Sequence, residues 1–165
     1  MNRSLVIVWH SRTGASEALA RAALAGAGAA GAGCAARLLA AEAVAPADLL
    51  AADGYLFACP ENLGTMSGAM KEMFDRCYYP LLGRVEGRPY ASIVSAGSDG
   101  HGALAQLDRI VTGWRLKRVA EPMIVNLAAQ TPEAILAPKI VPAPALDAAR
   151  AQGQALAAGL AMGVF

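Results

Sequence analysis

The sequence predicts an α/β fold, a parallel sheet covered by helices on both faces. Three observations carry this. Short, continuous apolar runs rich in β-branched residues alternate with longer alanine-rich or amphipathic segments. The short runs lack the in–out alternation of a half-exposed sheet, so they read as strands buried on both sides. Three of them break directly into loops rich in glycine, hydroxyl and amide side chains, and open parallel sheets bind ligands at the carboxyl ends of their strands.

The first strand is residues 4–9, where Leu5, Val6, Ile7 and Val8 are consecutive. Residues 16–30 follow as an alanine-rich helix carrying Leu19 and Leu24. Residues 34–41 form a second strand, and residues 55–59 a third, stopped by Pro60. Residues 67–79 place Met70, Met73, Phe74 and Cys77 at helical spacing, with Ser67 as the expected N-cap. Residues 90–96 are a fourth strand. Residues 103–114 form a helix with Leu104, Leu107, Ile110 and Val111 on one side. Residues 119–126 are a fifth strand, and Pro122 suits an edge position or a bulge there. Residues 131–144 are a proline-punctuated loop, and residues 145–162 a final amphipathic helix.

Composition bounds the function. Apolar residues make up 56% of the 165-residue chain, and mean hydropathy is positive, yet 39 of the residues are alanine. The longest stretch without a charged or clearly polar side chain is residues 22–36, which hold four glycines and one leucine. A bilayer span needs about 20 strongly apolar residues, so no membrane helix is expected. The formal charge of +1 includes no basic stripe, which argues against a nucleic-acid partner. The apolar run near the N-terminus is too short for a secretory signal. Cys34, Cys59 and Cys77 are scattered, with no CxxC. Reduced core thiols and a cytoplasmic setting are the expectation. One domain over residues 1–165 is the simplest division.

The chemistry concentrates in three loops. The first, His10 to Ser16, sets Ser11, Thr13 and Ser16 around Gly14, with Arg12 beside them. Unpaired amides at a helix start, hydroxyl donors and a glycine that lets the backbone curl make a phosphate cradle. The plainer alternative is an N-capping turn. No GxxxxGK[ST] occurs. A literal GxGxxG at Gly26, Gly28 and Gly31 lies at the far end of a helix, which is the wrong context for a dinucleotide fingerprint. The second loop runs Pro60, Glu61, Asn62, Leu63, Gly64, Thr65, Met66. Its alternation of polar and apolar side chains suits a planar heterocycle, or a turn without a ligand. In the third loop, Ala96, Gly97, Ser98, Asp99, Gly100 and His101 allow close backbone approach. No His, Cys, Asp or Glu set has metal-ligand spacing, so no metal is expected.

Taken together, the three loops resemble the flavodoxin-like superfamily. SRTGAS at residues 11–16 resembles its phosphate loop. PENLGTMSGAMKEMFDR at residues 60–76 is similar to the flavin loop and following helix of flavodoxin-like NAD(P)H:quinone oxidoreductases and NADPH-dependent FMN reductases. SAGSDGHG at residues 95–102 resembles their third loop.

The resemblance implies a flavodoxin-like three-layer sandwich with a five-stranded parallel sheet in the order 2-1-3-4-5, and FMN as cofactor. Ser11, Arg12, Thr13, Gly14, Ala15 and Ser16 would hold its phosphate. Asn62, Leu63, Gly64, Thr65 and Met66 would line the ring, with Pro60 and Glu61 opening that loop. Ala96, Gly97, Ser98, Asp99, Gly100 and His101 would close the other side. NAD(P)H is the implied electron donor and a quinone or similar small molecule the acceptor, with His101 as a catalytic hydrogen-bond or proton donor. The alternative is a flavodoxin-type electron carrier with no substrate of its own. A charge of +1 disfavours that, since carriers dock through strongly acidic surfaces. The resemblance also implies a homodimer or homotetramer, for which residues 70–79 are a candidate interface. Trp9, Trp114, Tyr78 and Tyr79 lie outside the three loops and read as core or subunit interface.

Overall fold

The computed structural model describes residues 2–165. In chain order, β1 (Arg3–Trp9) leads to α1 (Ala15–Ala29) and β2 (Cys34–Ala40). A turn of 3₁₀ helix (Ala41–Ala43) and a short α2 (Pro46–Ala51) precede β3 (Gly54–Asn62), β4 (Thr65–Met66) and α3 (Gly68–Leu81). Then come β5 (Pro89–Ala96), α4 (His101–Gly113), β6 (Lys117–Arg118), β7 (Met123–Asn126), α5 (Pro132–Leu136) and α6 (Ala143–Met162). The sheet order is β2-β1-β3-β5, all parallel, and β6 and β7 together fill the fifth position beside β5. That is the expected 2-1-3-4-5 arrangement, with the last strand in two pieces. The break falls just before Pro122, which has no amide to give a ladder.

Each strand run of the sequence feeds two cores because successive side chains point to opposite faces. On one face Val6, Val8, Tyr55 and Phe57 pack with Met70, Phe74, Leu107 and Trp114, under α2, α3 and α4. On the other, Leu5, Ile7, Leu56 and Ile93 pack with Leu19, Ala23, Leu156 and Leu160, under α1 and α6. Trp114 sets its edge against Phe74, with ring centroids 5.1 Å apart. The three cysteines are free and buried, and burial pushes the Cys59 thiol up to about 12. Among the described residues no helix is long and apolar enough to cross a membrane.

Several boundaries differ from expectation. β3 does not stop at Pro60 but runs on to Asn62. The carbonyl of Pro60 accepts from Ser67 N (3.2 Å). Its nitrogen therefore faces away from β5, on the side where β1 pairing has already ended at Ala58. Residues 60–66 are consequently a hairpin, with β4 antiparallel to β3 and a two-residue turn at Leu63 and Gly64. Residues 131–144 contain α5, capped by the Thr131 hydroxyl accepting from Ala134 N (3.2 Å). Pro80 lies in the last turn of α3 instead of beyond it.

The first glycine of the GxGxxG match has a packing role. A methyl on Gly26 would overlap the carbonyl oxygen of Arg150, and one on Gly153 would overlap that of Ala23, so α1 and α6 meet backbone to backbone. Gly153→Ala should therefore cost about 1–3 kcal/mol by forcing the helices apart. Gly28→Ala, on the same helix with nothing within 4 Å of the new methyl, should add up to about 1 kcal/mol through helix propensity. Urea denaturation of the two variants checks both signs.

Candidate functional site

The carboxyl ends of β1, β3 and β5 align the three loops along one edge of the sheet, around a cleft of about 680 Å³. That is within the range of about 300–1,000 Å³ usual for small-molecule sites. Two smaller hollows, one beside Arg3 and Phe165 and one beside Tyr78 and Trp114, lie away from this edge.

In the first loop Gly14 takes a left-handed conformation (φ +98°), and its amide donates to Ser11 Oγ (3.0 Å). The first helical bond is Ala18 N to Gly14 O (3.0 Å), so the amides of Ala15, Ser16 and Glu17 have no acceptor within the helix. They carry the positive end of the α1 dipole toward the loop. Arg12, Thr13 and Ala15 line the cleft. Arg12 has no ion-pair partner among the described residues. Ser16 is buried instead, its hydroxyl 2.7 Å from that of Ser95. That pair ties α1 to β5 and leaves only the Ser16 amide for a ligand.

The second loop divides its residues. Pro60, Glu61, Asn62, Leu63 and Gly64 line the cleft. Asn62 Nδ2 is buried with no protein partner. Leu63 is wholly exposed at φ +52°, a conformation that costs a side-chain-bearing residue about 1–2 kcal/mol. Met66 turns into the core, and its amide donates to Gln106 Oε1 (2.9 Å). The Thr65 hydroxyl bonds the hairpin backbone at Asn62 O and Met66 O. Ser67 does sit at the N-cap of α3, but its hydroxyl bonds His10 Nδ1 (2.8 Å) instead of a helix amide.

Glu61 has a structural partner. Its two oxygens accept from Gly100 N (2.9 Å) and Ala103 N (3.0 Å), capping the start of α4. A methyl on Gly102 would overlap the carbonyl of Gly64, so the second and third loops are in van der Waals contact. In the third loop Ala96, Gly97 and Ser98 line the cleft. Asp99, Gly100 and His101 do not. The His101 ring is exposed, with Nδ1 2.6 Å from Asp99 Oδ1.

The remaining wall comes from residues that sequence reasoning left out: Ser95, Leu127, Ala129, Ile135, Leu136 and Lys139. All but Ser95 belong to the segment after β7. Its sequence carries a signal in hindsight, since Thr131, Pro132 and Glu133 are a cap, a first-turn proline and a first-turn acid.

His10 joins the first loop to the end of the second. Burial, and the nearby Arg12 guanidinium to a smaller extent, hold its pKa below 6.5, against the raising pull of Glu42, whose carboxylate is 3.6 Å from Nε2. The folded protein therefore takes up this proton at lower pH than the unfolded chain. Stability should be unaffected by His10 above pH 6.5 and fall as pH drops through that value. Thermal melts across that window should show the loss in the wild type and a flatter profile in His10→Asn.

Residues 42–130 match the NADPH-dependent FMN reductase family. Among solved structures, a flavodoxin from the domain Archaea superposes with a TM-score of 0.76 at 14% identity, covering 95% of this chain and 98% of that one. A flavodoxin, WrbA-like protein from Agrobacterium tumefaciens gives 0.70 at 23% identity, over 98% of this chain and 99% of that one. Flavodoxin from Megasphaera elsdenii gives 0.70 at 21% identity, over 93% and 98%. No curated protein matches the chain in sequence. The fold is flavodoxin-like, and with more than half of its residues matched the chain belongs to the NADPH-dependent FMN reductase family.

Proposed function

We propose that the protein is an oxidoreductase that takes electrons from NAD(P)H and delivers them to a small acceptor such as a quinone, with FMN held in the cleft. The observation that carries this reading is Asn62 Nδ2, a buried donor on the cleft wall with no partner in the protein. Leaving such a donor unpaired costs about 1–3 kcal/mol. It fits a carbonyl or ring nitrogen on the edge of a planar heterocycle. The amides of α1 and Arg12 supply the complementary end for a phosphate. Family membership supports the same ligand.

When bound, FMN supplies the two-electron redox chemistry. The residues of the chain bind it, orient it and keep water away. Ala15 and the two residues after it offer amides to the phosphate, and Asn62 and the hairpin backbone fix the ring edge. Leu63, Leu127, Ile135 and Leu136 provide apolar surface at the cleft. The strain and full exposure of Leu63 suit a residue that covers a flat apolar ligand. His101, beyond the lining but with Nδ1 oriented by Asp99, is the proposed hydrogen-bond donor to an acceptor at the cleft mouth. Association into a homodimer or homotetramer would use the exposed Tyr78, Tyr79 and Leu82 at the end of α3. Met70 and Met73, from the same helix, are buried in the core and unavailable for it.

The purified protein should be yellow or become so with FMN, and NADPH or NADH should bleach it under anaerobic conditions. A bound flavin that neither nucleotide bleaches would favour the carrier. A colourless protein that takes up no FMN would sink both readings. His101→Ala should keep FMN affinity and lower quinone turnover by about a hundredfold or more, read from steady-state kinetics. Unchanged turnover removes His101 from the mechanism.

A further inference from the structure

Residues 127–141 cross from the third loop to the first. The near end is pinned by Leu127 N donating to Ala96 O (2.8 Å). Asn126 adds two bonds there, Nδ2 to Ser98 O (2.5 Å) and Oδ1 from Ala128 N (2.9 Å). The far end is pinned by Lys139 N donating to Thr13 O (2.7 Å), within the phosphate loop itself. Ala129 and Val141 are buried near the two ends, whereas α5 between them buries no residue. A segment that adds so little to the core, yet is fastened to two cofactor loops, has its reason for being in the cleft.

Lys139 is the side chain this strap delivers. It lines the same cleft as Arg12 and Thr13. Its ammonium donates to the carbonyls of Ile135 (2.9 Å) and Ala137 (2.6 Å), which holds it in place at the end of α5. An ammonium has three N–H groups, so one donor remains. No carboxylate pairs with it among the described residues, although most basic side chains of the molecule do have acidic partners. Arg12 and Lys139 therefore bring two uncompensated cations to the end of the cleft where α1 presents its free amides. This combination matches a phosphate monoester dianion.

We propose that Lys139 is a phosphate ligand of the flavin site, carried in by the strap as a third element beside the α1 amides and Arg12. The inference rests on the FMN reading. It adds that FMN is selected over riboflavin by a residue outside the loop that carries the phosphate motif.

The test is an equilibrium titration of the full chain with FMN and with riboflavin, followed by flavin fluorescence, in wild type, Lys139→Gln and Lys139→Arg at low and moderate salt. Lys139→Gln should weaken FMN binding by about ten- to a hundredfold, leave riboflavin binding unchanged and make FMN affinity less sensitive to salt. Lys139→Arg should recover most of the loss. The main-chain bond to Thr13 survives either substitution, and circular dichroism melts check that the variants remain folded. Wild-type FMN affinity in Lys139→Gln overturns the proposal, as does an equal loss for riboflavin, which would make the strap only a wall. A wild type that binds neither flavin overturns the FMN reading and this inference together. One that binds FMN, with Lys139→Gln matching it, overturns only the role of Lys139.

Discussion

A sheet covered on both faces leaves polar chemistry one place to go. In β5 every residue is buried, and in β3 the first six are. Backbone groups there must be met within the ladder, and side chains are apolar or internally bonded except Ser92, whose hydroxyl has no partner in the protein. Ligand-directed groups can appear only where the strands run out. The same constraint shapes the helices. For α1 and α6 to seal one face they approach until glycine meets carbonyl, at Gly26 with Arg150 and Gly153 with Ala23. The buried alanines of the two helices, Ala20, Ala23, Ala27, Ala149 and Ala157, suit that close packing.

At the carboxyl edge the loops are fastened to one another. His10 bonds Ser67, Ser16 bonds Ser95, Glu61 caps α4, and Asn126 and Lys139 fix the strap to the third and first loops. These bonds consume most of the polar groups that glycine-rich and hydroxyl-rich loops bring. What they leave over at the cleft is small and specific: the α1 amides, the Thr13 and Ser98 hydroxyls, Arg12, one N–H of Lys139 and Asn62 Nδ2. A site held by its neighbours in this way is organised before a ligand arrives, which limits the entropy lost on binding. Both oxygens of Glu61, the one carboxylate in the cleft lining, are engaged by amides at the start of α4.

The sheet edge and the strap are linked features. An edge strand exposes unpaired amides and carbonyls. Here that strand is short, broken ahead of Pro122, and followed at once by the turn through Ala128 at φ +52° that sends the chain back over the cleft. Pairing with β5 ends at Asn126, and the left-handed turn at Ala128 follows where the strap begins.

Several features were legible in the sequence: the strand–helix alternation, the burial of the strands, the place of the three loops and the edge position near Pro122. These depend on local periodicity and on residues whose conformational limits are strong. Arg12, Thr13, Asn62 and Gly97 could be placed at the sheet edge, where they line the cleft, because each lies at or shortly after the end of a strand. The tertiary structure decided the rest. Ser16 looked like a loop donor, Met66 like a ring lining and Ser67 like a helix cap, and the side chain or amide of each is taken by a partner distant in sequence: Ser95, the core with Gln106, and His10. Lys139 lies in a segment that reads from sequence only as a proline-punctuated loop, and it reaches the cleft only because the strap folds back onto Thr13. Local chemistry determines which groups a loop can offer. Contacts between segments far apart in sequence determine which of those groups remain free for a ligand.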